Sequence, residues 1–166
     1  MADNARVQRM EKWLDNYADI ILRTCFLYLC DADYARDAMQ DTFFKAWRAM
    51  GQYEKKHVEN DKAWLLRIAI NVCRDYRRNA WFKHVDRRCQ IEEMTLPTSS
   101  AAQRDWHLLQ DVLQLPDQCR QAVILYYYHD MTLEETAKLL HQPRSTVHKR
   151  LQKALQLLKD GMEEGE

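Results

Sequence analysis

Hydrophobic side chains recur every three or four residues through most of this chain, which is the spacing of amphipathic helices. In the first half, the pattern predicts a helix at 13–31, a second at 34–50 and a third that begins near 61. Gly51 follows the second helix, at a position where glycine commonly ends one. Positions 51–61 are charged and lack this periodicity, so they are predicted to form a loop.

Each predicted helix has an apolar stripe that is expected to face a shared core. The stripe of the first helix contains Leu14, Tyr17, Ala18, Ile21, Cys25 and Tyr28. The stripe of the second contains Ala35, Ala38, Met39, Phe43, Ala46, Trp47 and Met50. The stripe of the third contains Leu65, Ile68, Ala69, Val72, Cys73 and Tyr76. At this spacing Trp47, Trp64 and Tyr76 are predicted to be packing residues.

The periodicity stops in the middle of the chain and then resumes. Positions 84–100 lack an apolar stripe and include Pro97, so they predict a flexible linker. Beyond it, a stripe with Trp106 and Leu113 predicts another helix, and Pro116 can begin the next one. Three glycines and three prolines leave little turn chemistry for a sheet. The chain is therefore expected to be all-α, with two small helical domains.

Near the carboxy end, the pattern predicts two helices joined by a tight turn. Thr132 and Glu135 have the spacing of a capping box, which begins a helix. His141 is expected to adopt a left-handed conformation in the turn, and Pro143 suits the start of the second helix. The inward stripe of that helix contains Val147, Leu151, Ala154 and Leu158. A DNA-binding helix-turn-helix is predicted, with a plain helical hairpin as the alternative.

The charged residues are balanced overall but unevenly placed. The chain has 25 lysines and arginines and 25 aspartates and glutamates. Positions 67–88 nevertheless carry seven basic and two acidic side chains, and positions 144–159 carry five basic and no acidic ones. Such clusters are typical of surfaces that bind nucleic-acid phosphates.

The cysteines and the hydropathy pattern bear on the compartment. Five cysteines without a C-x-x-C pair favour neither a disulfide framework nor a zinc site, and they fit a reducing cytoplasm. The amino terminus lacks a basic-then-apolar signal, and no run approaches the roughly 20 apolar residues that span a bilayer. A soluble cytoplasmic protein is expected.

Two polar helix faces are candidates for binding. The face on the second helix consists of Asp37, Gln40, Asp41 and Phe44. An exposed aromatic ring beside two carboxylates indicates a protein interface. The face on the third helix consists of Arg67, Asn71, Arg74 and Arg78. Trp81, just beyond it, adds a stacking surface of the kind that binds single-stranded nucleic acid.

These segments resemble parts of sigma-70-type RNA polymerase sigma factors. Residues 37–47 resemble the polymerase-binding helix of sigma region two, and residues 63–78 resemble its promoter-melting helix. Residues 115–155 are similar to sigma region four. By this resemblance, the chain is identified as a member of the extracytoplasmic-function group, whose short members consist of these two regions and a linker. The implied parts are region two at 1–83, the linker at 84–100 and region four at 101–166.

The resemblance also implies which residues bind. Polymerase contacts are expected from Asp37, Gln40, Asp41, Phe44 and Trp47. Contacts with the minus-ten promoter element are expected from Tyr53, Lys56, His57, Asn60, Arg67, Asn71, Arg74, Arg77, Arg78 and Trp81. Contacts with the minus-thirty-five element are expected from Arg144, Ser145, Thr146, His148, Lys149, Arg150, Gln152 and Lys153.

A protein of this family is implied to be a non-enzymatic initiation factor, without a cofactor, a metal or a small-molecule substrate. Its implied partners are promoter DNA and core RNA polymerase, contacted at the clamp helices of the largest subunit and at the flap. An anti-sigma factor, often bound to the membrane, is the implied regulator. The factor is expected to act in the cytoplasm, on the nucleoid.

Two other functions remain open at this stage. One is a stand-alone helix-turn-helix regulator that binds duplex DNA as a dimer, although a dimerisation module needs neither the acidic nor the basic face. The other is a small helical hydrolase in which Asp37 and Asp41, four residues apart, share a metal. The absence of a recognisable ligand set or nucleophile argues against the hydrolase.

Overall fold

The computed structural model of this chain describes residues 1–79 and 110–164. Every regular element in these two stretches is a helix, which confirms the predicted all-α class. The chain divides into two units, Met1–Arg88 and Cys89–Glu166, in agreement with the prediction of two helical domains.

Several sequence predictions fall outside the described residues. They concern the linker at 84–100, the stacking residue Trp81 and the apolar stripe residue Trp106. The domain boundaries at 83 and 101 lie in the same stretch and stay predictions.

The first unit contains four helices. Helix α1 spans Ala2–Leu29, α2 spans Ala32–Arg48, α3 spans Met50–Lys55 and α4 spans Asp61–Arg78. Side-chain caps begin two of them. Asp31 accepts the backbone N–H of Tyr34 over 2.8 Å at the start of α2, and Asn60 accepts that of Ala63 over 3.0 Å at the start of α4. Caps of this kind fix where a helix begins.

Two predicted boundaries in the first unit were wrong. Helix α1 begins at Ala2, not near Trp13. Its first turns are polar and lack an apolar stripe, so the hydrophobic pattern did not reveal them. They contact α3, where Arg9 pairs with Glu54. The predicted stop at Gly51 is also wrong, since Gly51 lies inside α3 and the break between helices falls at Ala49. The predicted loop at 51–61 therefore shrinks to the residues between α3 and α4.

The core of the first unit forms where α1, α2 and α4 meet. Its fully buried side chains include Ile21, Cys25, Phe26, Tyr28, Ala38, Ala46, Met50, Leu65, Leu66 and Ile70. Trp13, the first core residue of α1, packs against Tyr53 and Trp64. Leu14 and Trp47 were predicted to be buried but are 41% and 38% exposed. Both flank the apolar stripe, and Trp13 and Ala46 take the core positions beside them.

The cysteines of the first unit differ in state. Cys25 and Cys73 are free and buried, and the hydrogen bond that Cys73 makes with Cys25, together with burial, raises the pKa of the Cys73 thiol. Cys30 ends α1 in a left-handed conformation and is disulfide-bonded. No cysteine spacing in the sequence indicated that bond.

The second unit contains the predicted pair of helices near the carboxy end. Residues 110–113 are helical, and Pro116 caps α5, which spans Asp117–Val123. A π-helical turn, Ile124–Tyr128, extends α5. Helix α6 spans Leu133–Leu140 and α7 spans Arg144–Glu164. Among the helices of the described stretches, none is both long enough and apolar enough to cross a membrane.

Candidate functional sites in the two units

The predicted protein-binding residues lie together on the surface of α2. Asp37, Gln40 and Asp41 are exposed, and Phe44 is 61% exposed. The Arg48 guanidinium lies 5.8 Å from the centre of the Phe44 ring, at cation–π distance. Asp37, Gln40, Asp41, Phe44 and Trp47 form what we call the acidic face. Aromatic side chains such as Phe44 are enriched at protein interfaces.

Asp41 is held in place by a residue of α4. The Tyr76 hydroxyl donates a hydrogen bond of 2.7 Å to Asp41 Oδ2. Burial first, and then the bond and charge of Asp41, raise the pKa of Tyr76 above its ordinary value. Tyr76 had been predicted only as a packing residue. Its spacing places it on the α4 stripe, but its partner on α2 is a tertiary contact that no local pattern reveals.

The predicted basic residues of α4 divide into two groups. Arg67, Asn71 and Arg78 are exposed and lie on one side of the helix, with Asn71 one turn after Arg67 and Arg78 two turns after Asn71. Arg74 lies on the same line but is half-buried, and burial lowers its pKa. These four residues form the basic face. A guanidinium remains protonated in proteins, so all three arginines keep their charge.

Arg77 lies apart from the basic face. Its Nη1 donates to the backbone carbonyl of Tyr28 over 3.0 Å. That carbonyl belongs to the last turn of α1, where a cation also complements the helix dipole. This side chain therefore links α4 to the end of α1, and its expected contact with the minus-ten element stays a prediction.

Lys56, His57 and Asn60 lie where α3 connects to α4. Lys56 ends α3, and His57 adopts a left-handed backbone with φ of 47°. Asn60 uses its side-chain oxygen to cap α4, which leaves its amide N–H groups available as donors. All three side chains are exposed, so the connecting segment presents polar groups at the start of the helix that carries the basic face.

Tyr53 does not share this exposure, and the prediction that it lies in a loop is wrong. It belongs to α3, is 9% exposed, and packs edge-to-face at 5.1 Å from Trp13 and 4.9 Å from Trp64. Its hydroxyl donates to Asp61, the first residue of α4. Burial first, and then the bond to Asp61, raise the pKa of Tyr53 to about 12.

Two arginines of α1 contact α3, one over the Tyr53 ring and one beside Gly51. The Arg9 guanidinium lies 5.3 Å from the centre of the Tyr53 ring and 2.9 Å from a carboxylate oxygen of Glu54. Arg6 approaches Gly51 so closely that a Cβ there would lie 3.3 Å from Nη2. The polar start of α1 thus anchors α3, and α3 anchors the segment that precedes the basic face.

The second unit contains the predicted helix-turn-helix. Both hydrogen bonds of the capping box are present, at 3.1 Å from the Glu135 backbone N–H to the Thr132 hydroxyl and at 2.9 Å from the Thr132 N–H to the Glu135 carboxylate. His141 ends α6 with φ of 51° and ψ of 44°, as predicted. Its left-handed backbone lets the N–H of Gln142 reach the carbonyl of Ala137 over 3.0 Å.

Helix α7 separates its buried and exposed residues as predicted. Val147, Leu151 and Ala154 are at most 5% exposed and face the core of the unit. The exposed members of the predicted set are Arg144, Ser145, His148, Lys149, Gln152 and Lys153, which we call the recognition face. Thr146 and Arg150 are half-buried at its edge. Short polar groups and long basic groups thus alternate along one side of a 21-residue helix.

Within 1–79 and 110–161, His, Cys, Asp and Glu side chains form no group of three or more that could hold a metal ion. The Asp41 carboxylate instead accepts the bond from Tyr76.

Comparisons with known proteins agree on both units. The family model for Sigma-70 region 2 matches residues 13–83, and that for Sigma-70, region 4 matches residues 108–158. The chain is 28% identical to the RNA polymerase sigma-H factor of Pseudomonas aeruginosa, over 90% of this chain and 86% of that protein. It is also 28% identical to the ECF RNA polymerase sigma factor SigL of Mycobacterium tuberculosis, over 96% of this chain and 92% of that protein.

A solved structure has the same fold. The sigma factor RpoE from Bartonella quintana, determined in complex with the anti-sigma factor NepR, superposes with a TM-score of 0.69 at 21% identity. The superposition covers 94% of this chain and 98% of that chain. At this identity the likeness supports the two-domain helical architecture.

Proposed function

Because the chain belongs to the sigma-70 family of sigma factors and to its extracytoplasmic-function group, we propose that it binds core RNA polymerase and directs initiation at particular promoters. The first unit serves as region two and the second as region four, with boundaries at 1–83 and 101–166 and a linker at 84–100. RNA synthesis is the chemistry of the polymerase, and this chain supplies the choice of promoter.

The acidic face is the proposed docking surface for the clamp helices of the largest polymerase subunit. Phe44, at 61% exposure, has the apolar area that an interface buries. Asp37, Gln40 and Asp41 surround it with acceptors for basic groups of the partner. Trp47, 38% exposed, extends the apolar part of this surface by one turn.

The basic face of α4 and the segment before it are proposed to bind the minus-ten element. Arg67, Arg74 and Arg78 attract the phosphates of a separated strand. Asn71 lies among them and offers both a donor and an acceptor to an unpaired base. The exposed segment with Lys56, His57 and Asn60 provides further polar groups at the start of the same helix.

The recognition face of α7 is proposed to read the minus-thirty-five element in the major groove. Ser145, His148 and Gln152 are short or planar polar groups that reach base edges. The phosphate contacts are assigned to Arg144, Lys149, Arg150 and Lys153, with Thr146 near the start of the helix. The second unit is also proposed to contact the polymerase flap.

We further propose that an anti-sigma factor holds this protein inactive. The support is the likeness to RpoE, a sigma factor determined in complex with an anti-sigma factor. The proposed site of action is the cytoplasm, on the nucleoid. A membrane-bound anti-sigma factor would hold the inactive protein at the membrane.

The observation that carries the proposed docking is the exposed Phe44 ring on the acidic face. The test is co-elution of the purified chain with bacterial core RNA polymerase on a sizing column. Wild type is expected to co-elute one to one, and Asp41→Ala and Phe44→Ala are each expected to weaken association at least tenfold, as central interface residues do. Asp15→Ala, which removes an exposed carboxylate of α1, is the matched control and should bind as wild type.

If Asp41→Ala and Phe44→Ala both bind core polymerase as tightly as wild type, the acidic face is not part of the docking surface. If the wild-type chain does not bind core polymerase and instead binds duplex DNA as a dimer, the protein is an ordinary helix-turn-helix regulator.

A further inference from the structure

A hydrogen bond joins the acidic face of α2 to α4, the helix that carries the basic face. The Tyr76 hydroxyl donates to Asp41 Oδ2 over 2.7 Å. From this contact we propose that Tyr76 is a positioning residue for polymerase docking, which fixes the Asp41 carboxylate in the orientation that the polymerase binds. The inference rests on the proposed function of the acidic face.

The Tyr76 ring is held so that its hydroxyl points at Asp41. The ring packs edge-to-face against Tyr34, with 6.0 Å between centroids and 73° between planes. Tyr34 itself is fixed at the start of α2, where its backbone N–H bonds to the Asp31 carboxylate. Tyr76 is half-buried, which further restricts its side chain. The donor is therefore built into the contact between α2 and α4.

The hydroxyl also stays protonated. Burial first, and then the hydrogen bond and negative charge of Asp41 and the charge of Asp37, raise the pKa of Tyr76. A raised tyrosine pKa means that the neutral donor form persists throughout the physiological range. Asp41 thus has a permanent hydrogen-bond donor beside it.

A second link between the two helices is weaker. The Lys45 ammonium lies 3.7 Å from the Asp75 carboxylate, and the two side chains are 54% and 60% exposed. Exposed pairs of this kind contribute little to stability. The bond between Tyr76 and Asp41 is the one that sets the direction of a side chain on the acidic face.

A held carboxylate has an advantage in binding. Asp41 is exposed, and an unrestrained side chain loses rotamer freedom when a partner immobilises it. Tyr76 restricts Asp41 before docking, so less freedom is lost in the complex. A carboxylate has about four lone-pair sites, and Asp41 therefore keeps acceptor capacity for a basic group of the polymerase.

The test is the substitution Tyr76→Phe, which removes the hydroxyl and keeps the ring against Tyr34. The dissociation constant of the full chain for core RNA polymerase, measured by fluorescence titration, is expected to rise about fivefold, because the released Asp41 side chain then loses its rotamer freedom on docking. Tyr17→Phe, at a half-buried tyrosine of α1, is the matched control and should bind as wild type.

A double-mutant cycle separates positioning from a general loss of structure. In the Asp41→Ala background, Tyr76→Phe should change the dissociation constant no further, because the hydroxyl has lost its acceptor. An equal loss in both backgrounds, or no loss in the wild-type background, overturns the inference while the proposed function stands. Failure of the wild-type chain to bind core polymerase overturns both.

Discussion

The two units present their basic helices in different ways, and the difference begins with what surrounds each cation. On α4, Arg74 is half-buried with a lowered pKa. Arg78 lies 3.9 Å from a carboxylate oxygen of Asp75. Arg77, one residue before it, is bonded to a backbone carbonyl of α1. Arg74 and Arg77 are thus attached to the fold, whereas Arg67 and Arg78 are exposed.

The cations of α7 are arranged in the opposite way. Arg144, Lys149 and Lys153 are exposed, and the sequence places no acidic side chain on this helix before Asp160. The helix is held from its other side, where Val147 and Ala154 are completely buried. Its charged side chains therefore keep their mobility.

This contrast suggests two kinds of DNA contact. A partly buried cation such as Arg74, beside the Asn71 amide, suits a face that holds separated DNA in one conformation, because little freedom of that side chain is lost on binding. Mobile cations on a rigid helix suit attraction to duplex phosphates, with a strong dependence on salt. The following variants test how the two units hold and present their side chains.

The largest effect is expected from a change to the buried side of α7. Leu151 is 5% exposed, and Leu151→Ala should lower the free energy of unfolding of the second unit by about 2–5 kcal/mol, through lost burial and a cavity. Leu155→Ala is the control, because Leu155 is 48% exposed and its loss should change stability by less than about 0.5 kcal/mol. Urea denaturation followed by circular dichroism measures both free energies of unfolding. Equal losses would contradict the assignment of Leu151 to the buried side of α7 and of Leu155 to its exposed side.

An intermediate effect is expected from the exposed side of α7. The double variant Lys149→Ala/Lys153→Ala should weaken binding to all duplex DNA roughly thirtyfold at 0.1 M salt and lower the salt slope by about two. Changes at Ser145 or His148 should instead alter preference among sequences more than overall affinity. Fluorescence anisotropy over a range of salt concentrations measures both quantities.

The control for this experiment is Lys12→Ala, at an exposed lysine of α1, which should leave the slope unchanged. If the lysine and the serine or histidine variants lose affinity equally across all sequences, Ser145 and His148 have no reading role.

The smallest effect concerns the anchor of the first unit. Tyr53→Phe removes the hydroxyl that bonds to Asp61 and should cost about 1 kcal/mol of stability at neutral pH. The pKa of Tyr53 is raised to about 12 from its ordinary value of 10.0. Its contribution is therefore complete below pH 10 and is lost as the pH rises from about 10 to about 12.

The difference in unfolding free energy between wild type and Tyr53→Phe should accordingly shrink over that alkaline range. Tyr127→Phe, at a tyrosine that is 49% exposed, is the control for the removal of an exposed hydroxyl and should change the free energy of unfolding at neutral pH by less than about 0.5 kcal/mol. If the difference in unfolding free energy stays constant from pH 8 to pH 12, the stabilising effect of the Tyr53 hydroxyl does not depend on its hydrogen bond to Asp61.

Features that depend on local chemistry were predictable from the sequence. The Thr132–Glu135 capping box and the left-handed His141 are set by residues within a few positions of one another, and both were confirmed. Except for Trp47, the exposed positions on the acidic and recognition faces follow from helical spacing alone, and the structure places them at the surface. Which polymerase or DNA groups they contact stays a prediction.

Features that depend on distant partners were not predictable. The first turns of α1 are polar, and they form a helix against α3, where Arg9 meets Tyr53 and Glu54. Arg77 matched the basic pattern of α4, yet the carbonyl that it binds is at Tyr28, 49 residues earlier. Contacts across such separations leave no periodic signal, so the sequence indicated neither the burial of Tyr53 in a helix nor the bond from Arg77 to α1.

Promoter-specific transcription by a reconstituted holoenzyme tests the central claim most directly. Core RNA polymerase with the purified chain would be supplied with genomic DNA, and the starts of the transcripts would be mapped. We expect initiation at a defined set of sites that core polymerase alone does not use. These sites should share sequence elements near minus ten and minus thirty-five. Start sites identical to those of core polymerase alone would contradict this expectation.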